Sequence, residues 1–126
     1  MRLMLDSSFM IDHLRGETAA MARWDRIFED GDEPFVAEIV VCEVRAGLRA
    51  RDEPTLVALL RPLEFVQPGP DQAMTAGRWR YEARVTGRTL SLADALIASA
   101  AESLHAAVLT RNVRDFALTP ARVETY

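Results

Sequence analysis

Four short runs rich in apolar residues, each separated from the next by stretches of helical periodicity, constrain this chain more than anything else in it. They are Leu3 to Leu5, Pro34 to Ala37, Leu63 to Val66 and Ala106 to Thr110. Runs this brief, stopped by charge or proline, predict strands, and the first is apolar enough to be buried on both faces. Between them, cap and stop signals predict helices over Phe9 to Arg15, from Thr18 toward Gly31, and over Ile39 to Val44 leading into Gly47 and Leu48. Further helices are predicted over Pro54 to Leu60, Asp71 to Val85, and from the cap Ser91 to about Leu104. Val123 to Thr125 predicts a fifth strand at an edge. Strands that alternate with helices imply an α/β fold whose parallel sheet is covered on both sides.

Residues 1–126 are read as one domain, because the length is ordinary for one and no linker, repeat or low-complexity tract divides it. With 49% hydrophobic residues the chain can build a sizeable core, which excludes intrinsic disorder. Fifteen basic against nineteen acidic residues give a net charge of −4, so any nucleic-acid contact has to be local. The single cysteine, Cys42, permits neither an intrachain disulfide nor a zinc site. Charge at Arg2 and Asp6 interrupts the start too early for a signal peptide, and no run approaches the ~18 apolar residues of a membrane span. The expectation is a cytoplasmic protein with no membrane partner.

In open α/β sheets the functional crevice opens at the carboxyl ends of the strands. Asp6 ends the first strand, and Asn112 and Asp115 lie just past the fourth. Glu43 stands about one turn into the helix after the second strand, and Asp94 in the first turn of the helix before the fourth. Four carboxylates on one edge repel each other unless a cation sits among them, and an all-oxygen set suits Mg²⁺ or Mn²⁺. Each acid also has a structural explanation. Asp6 could cap a helix, although Ser7 and Ser8 are available for that. Asp94 completes a capping-box pattern with Ser91, and Asp115 could close a turn or start a short helix. Glu43 lies in a run, Ile39 to Val44, that reads as apolar all round, where a charge needs a partner. His13 and His105 are isolated and read as helix-surface residues. Trp24, Phe28, Trp79 and Tyr81 read as core. No glycine-rich phosphate loop is present.

Taken in order, Asp6-Ser7-Ser8, the stretch Ile39 to Gly47, Ser91 to Ala98, and Leu109-Thr110-Arg111-Asn112-Val113-Arg114-Asp115-Phe116 resemble a PIN domain, and more closely a VapC-type toxin of a toxin–antitoxin pair. The resemblance spans nearly the whole chain. It implies a three-layer α/β/α sandwich with a central parallel sheet of four to five strands, and Mg²⁺- or Mn²⁺-dependent endonucleolytic cleavage of RNA by a metal-activated water. It also implies inhibition by a VapB-like antitoxin, and homodimerisation. Asp6, Glu43 and Asp94 match the family's three core acids. The fourth acidic position varies between the places held here by Asn112 and Asp115, so Asp115 takes the carboxylate role. Ser8, Thr110 and Asn112 are then supporting residues behind the metal ligands. Glu38 and Val40 stand where the family's helix bearing the Glu43 position often opens with Ser or Thr.

Two other functions compete. A haloacid-dehalogenase-like phosphatase also has an Asp after its first strand, but needs a second Asp where Ser8 stands. A catalytically silent PIN-like interaction module would have no reason to keep an electrostatically costly acid set. Basic residues follow Glu43 (Arg45, Arg49, Arg51), recur at Arg78, Arg80, Arg84 and Arg88, and flank Asn112 (Arg111, Arg114), an arrangement that suits a phosphodiester backbone and equally a set of solvated helix faces. The early helices carry Phe9, Ile11, Leu14, Met21, Trp24, Ile27 and Phe28, and Val44 and Leu48 follow. This surplus predicts an apolar groove for an amphipathic antitoxin segment, with an antitoxin arginine reaching the carboxylates.

Overall fold

The computed structural model describes residues 1–126. The five strands are β1 (Arg2–Leu5), β2 (Glu33–Ala37), β3 (Glu64–Val66), β4 (Ala107–Leu109) and β5 (Val123–Glu124). The helices are α1 (Ser7–Leu14), α2 (Thr18–Glu29), α3 (Glu38–Ala46), α4 (Glu53–Leu60), α5 (Pro70–Val85), α6 (Leu92–Ser103) and the single-turn α7 (Val113–Phe116), with a 3-10 turn over Ala50–Asp52. All strands are parallel in the order β3-β2-β1-β4-β5, with helices on both sides of the sheet.

Burial explains why the strands were so apolar. Leu3, Met4 and Leu5 point alternately to opposite faces, and all three are fully buried, so both faces of β1 are covered. They join Phe35, Val36, Val108 and Leu109 in one core with Phe9 and Met10 of α1, Val40 and Val44 of α3, and Ile97, Ala98 and Ala101 of α6. The alanines of α6 let it pack closely. A smaller cluster, Ala76, Ala83, Leu90 and Ala95, ties α5 to α6. No helix is long and apolar enough to cross a membrane.

The strand order fixes where a site can be. From β1 the chain moves outward to β2 and β3, then returns to lay β4 and β5 on the other side. The direction reverses between β1 and β4, and a crevice opens outside their carboxyl ends. Register makes this specific: Leu5 pairs with Leu109, so Asp6 and Thr110 leave the sheet side by side, joined by Asp6 N–H to Leu109 O at 3.1 Å.

Candidate active site

Asp6 stands at the N-cap position of α1, yet its carboxylate caps nothing. It is 4% exposed, and its Oδ2 accepts from Thr110 Oγ1 at 2.7 Å and from Ser8 Oγ at 2.9 Å. Each hydroxyl has one proton, and both protons are committed to Asp6, so the 3.1 Å approach of the two hydroxyls is a contact rather than a third bond. The hydroxyl lone pairs are used as well: Arg111 N–H donates to Ser8 Oγ at 3.1 Å and Asn112 N–H to Thr110 Oγ1 at 2.9 Å. Asp6 is thus held by two side chains that are themselves held by the loop after β4. Its Oδ1 accepts no bond, and no buried side-chain oxygen lacks a partner, so Oδ1 reaches solvent. It is the atom left for a ligand.

The remaining acids come from three other elements. Glu43 is exposed on α3 and accepts from Ser7 Oγ at 2.6 Å, which turns it toward the start of α1. The run around it is not apolar all round: Val40 and Val44 are buried, whereas Cys42, Glu43 and Ala46 face outward. The partner that Glu43 needs is Ser7, which the sequence offered only as a cap. α3 itself starts at Glu38 with no side-chain cap, the structural counterpart of the missing Ser or Thr. Asp94 lies in the first turn of α6, where its N–H donates to Ser91 Oγ at 3.0 Å, so the N-cap half of the capping box read from sequence is present, without a return bond from Ser91 N–H to the carboxylate. Asp115 is exposed on α7, and Asn112, at the N-cap position of α7, uses its side chain for no cap.

Electrostatics joins the four. Burial pushes the Asp94 carboxyl up to about 6, the Ser91 hydrogen bond opposes this, and Asp6, Asp115 and Glu43 each push it further up. Asp94 thus feels the charge of the other three acids in addition to its burial. No three of them are close enough to form a closed coordination shell by themselves.

Comparison with known proteins decides the family. The PIN domain family model matches residues 3–121. The chain belongs to the PIN-domain family. This PIN-domain chain is 32% identical to Ribonuclease VapC19 of Mycobacterium tuberculosis over 117 residues, 93% of this chain and 94% of that protein. Its fold is similar to solved structures of VapBC2 from Rickettsia felis bound to a promoter DNA fragment, with a TM-score of 0.87 and 20% identity over 100% of this chain and 99% of that one. It is also similar to DNA-bound VapBC from Salmonella typhimurium, with a TM-score of 0.85 and 21% identity over 99% of this chain and 98% of that one.

Beside the acids, the PIN-domain structure reveals a second buried carboxylate that the sequence did not single out. Asp12, one turn beyond Ser8 on α1, accepts from Arg111 Nη1 at 2.5 Å and from the Tyr126 hydroxyl at 2.6 Å. Burial and the adjoining carboxylate push the tyrosine's pKa well above its ordinary value. Tyr126 also packs edge-on against Phe9, with centroids 5.0 Å apart. Arg111 is thereby held back on α1, although the sequence placed it among the phosphodiester cations. Arg45 is similarly engaged, with Glu53 at 2.6 Å.

Other readings are also revised. His105 is a turn residue past α6 with a left-handed φ of 53°, and His13 lies against Trp24 at 4.8 Å. Trp24 packs between Phe9 and Phe28, while Phe28 and Tyr81 are exposed rather than core. An open groove of about 370 Å³ does run along the early helices, lined by Ile11 and Leu14 of α1, Val44 and Leu48 at the end of α3, and Thr55 of α4. Trp24 is not part of it.

Proposed function

We propose that this protein is a metal-dependent endoribonuclease, the toxin of a VapBC-type pair. What supports the reading is the placement of Asp6 at the carboxyl end of β1, Asp115 just past β4, and Glu43 and Asp94 on the adjoining helices α3 and α6, around the strand-order reversal. A relative named as a ribonuclease, matched along 93% of the chain, supports the chemistry. The VapBC structures of the same fold support a VapB-like antitoxin as partner.

The donor set fits a hard divalent cation. It offers only oxygen, and its mutual repulsion favours neutralisation by a cation. Mg²⁺ keeps several waters and takes one or two carboxylates together with substrate phosphate, so it does not require three acids to close on it. When bound, Mg²⁺ or Mn²⁺ supplies water activation and charge stabilisation at the scissile phosphate. Asp6, Asp94 and Asp115 would hold it, with Glu43 as a further ligand or as the group that orients the attacking water. Thr110 and Ser8 fix Asp6 so that Oδ1 faces outward, Ser7 fixes Glu43, and the Asn112 amide remains a neutral oxygen donor beside them.

The groove between α1, α3 and α4 is assigned to an amphipathic antitoxin segment, whose basic side chain would reach the acids along α3. A second copy of the chain belongs to the same reading, supported by exposed Met74, Tyr81 and Val85 along one side of α5. The test of the catalytic reading is cleavage of oligoribonucleotides by the purified protein. EDTA is expected to stop cleavage, and Mg²⁺ or Mn²⁺ to restore it. Undiminished cleavage in EDTA would overturn the metal-dependent mechanism.

A further inference from the structure

Every basic side chain of this protein other than its two histidines is an arginine, the cation whose planar fork suits phosphate, so the question is which of the fifteen are available to it. The structure sorts the nine singled out from the sequence. Arg45 is bound to Glu53, Arg111 to Asp12, Arg80 to the Leu90 carbonyl at 3.1 Å, and Arg78 to Thr75 at 2.9 Å. Arg49 and Arg51, at the 3-10 turn before α4, and Arg84 on α5 also have no ion-pair or hydrogen-bond partner, but none of them lines a cavity with one of the four acids. Arg88 and Arg114 have no ion-pair or hydrogen-bond partner, and both line one cavity. Thr89, Asp115, Ala117 and Leu118 complete the lining of this open cavity of about 450 Å³.

We propose that this cavity is a phosphodiester subsite for the RNA strand, in which Arg88 and Arg114 bind backbone phosphate next to the bond that is cut. The proposal rests on the ribonuclease reading above. Three features of the structure carry it.

Asp115, one of the four site acids, forms part of the cavity wall, so the cavity borders the proposed site at that residue. A strand whose phosphate lies at the acids must pass its neighbouring phosphate close by. The volume is in the range of sites that hold small organic ligands, large enough for more than a single ion.

Both arginines are carried on fixed backbone. α5 ends with Gly87 in the left-handed region (φ 76°), and Gly87 N–H donates to Arg84 O while Arg88 N–H donates to Ala83 O at 2.8 Å. On the far side, Leu90 is buried and its carbonyl is held by Arg80. Arg88 and Thr89 are therefore exposed on a turn anchored at both ends. Arg114 sits on α7, which buried Phe116 anchors and Ala117 N–H to Arg114 O closes. Fixing the backbone beforehand reduces the ordering cost of binding.

The charges are also uncompensated. Neither guanidinium forms an ion pair with Asp115 although all three share the cavity, so two positive charges stand beside a strongly acidic site without a partner in the fold. An anion with its own register, a phosphodiester chain, satisfies both.

The test uses fluorescence anisotropy of a labelled single-stranded oligoribonucleotide in EDTA, so that binding is read without cleavage, across a series of KCl concentrations. Arg88→Gln and Arg114→Gln are expected to weaken binding about tenfold each, and to reduce the slope of log K against log salt by about 0.7 for each phosphate no longer neutralised. Arg84→Gln, equally exposed but outside the cavity, is expected to leave both unchanged. Neither cavity arginine has an intramolecular partner, so melting temperatures should match wild type and confirm that the variants fold. Wild type that binds RNA with affinity and slope unaltered by both substitutions overturns the subsite and leaves the ribonuclease reading standing. Loss of antitoxin binding with RNA binding intact would also overturn it, by assigning the cavity to protein. Wild type that binds no RNA in EDTA overturns the subsite, while the ribonuclease reading is decided separately by the Mg²⁺-dependent cleavage assay.

Discussion

Asp94 concentrates the conflict between folding and function at a single side chain. It occupies the third position of a capped helix, where Ser91 Oγ accepts its N–H, and its charge is opposed by burial and by three other carboxylates. Its carboxyl is pushed up from 3.8 to about 6 in the folded protein. A raised folded pKa means that the fold prefers the protonated acid. The penalty is absent below the unfolded pKa, grows as pH rises from about 4, and is complete above about 6. In EDTA, wild type is therefore expected to lose stability across that window, while Asp94→Asn has no such loss. Above pH 6 the variant should equal or exceed wild type, by on the order of 1 kcal/mol once solvent screening of a half-exposed group is allowed for. Cleavage should be abolished. Thermal melts at pH 4 and pH 7, with an RNA cleavage assay, check both parts. A helix-capping role alone would instead lower stability by up to about 1 kcal/mol and leave cleavage intact.

α3 serves two purposes with two adjacent sides. Val40 and Val44 face the sheet, Glu43 turns toward Ser7, and Val44 with Leu48 beyond the helix borders the groove shared with α1 and α4. Leu48→Glu places a charge where an apolar antitoxin side chain would be desolvated. It should weaken antitoxin binding by roughly 2 kcal/mol or more, a scale typical of a central interface residue. RNA cleavage should be unaffected, because Leu48 touches none of the acids. Affinity measured by calorimetry decides it, and an unchanged value would move the antitoxin surface elsewhere. The same helix shows where sequence reading stops. The strands were legible because short apolar runs stopped by charge or proline permit little else, and each lies within one or two residues of its expected place. In α3, one apolar side against the sheet and scattered apolar residues elsewhere looked like burial all round. Only the packing partners reveal which side faces out.

At the scale of the molecule, order reversal between β1 and β4 does what no local motif can. It brings residues 6, 8, 110 and 112 into one hydrogen-bonded set and lets α3, α6 and α7 deliver the other acids to its rim. Where the acids sit was legible, since each lies at a strand end or an adjoining helix start, where α/β topology opens its crevice. Pairings at long range were not. Tyr126 and Asp12 are 114 positions apart, and nothing in either neighbourhood announces their bond or its hold on Arg111. The division of the arginines into engaged and free was hidden for the same reason, because each partner comes from tertiary packing. The central claim is that this acid cluster cuts RNA, and Asp6 is its most firmly positioned member. The most direct measurement is sequencing of cellular RNA ends after induced expression of wild type and of Asp6→Ala at matched protein levels. Wild type is predicted to generate new ends at a restricted set of positions that Asp6→Ala does not generate. The same ends from both proteins, or none from either, would contradict the account.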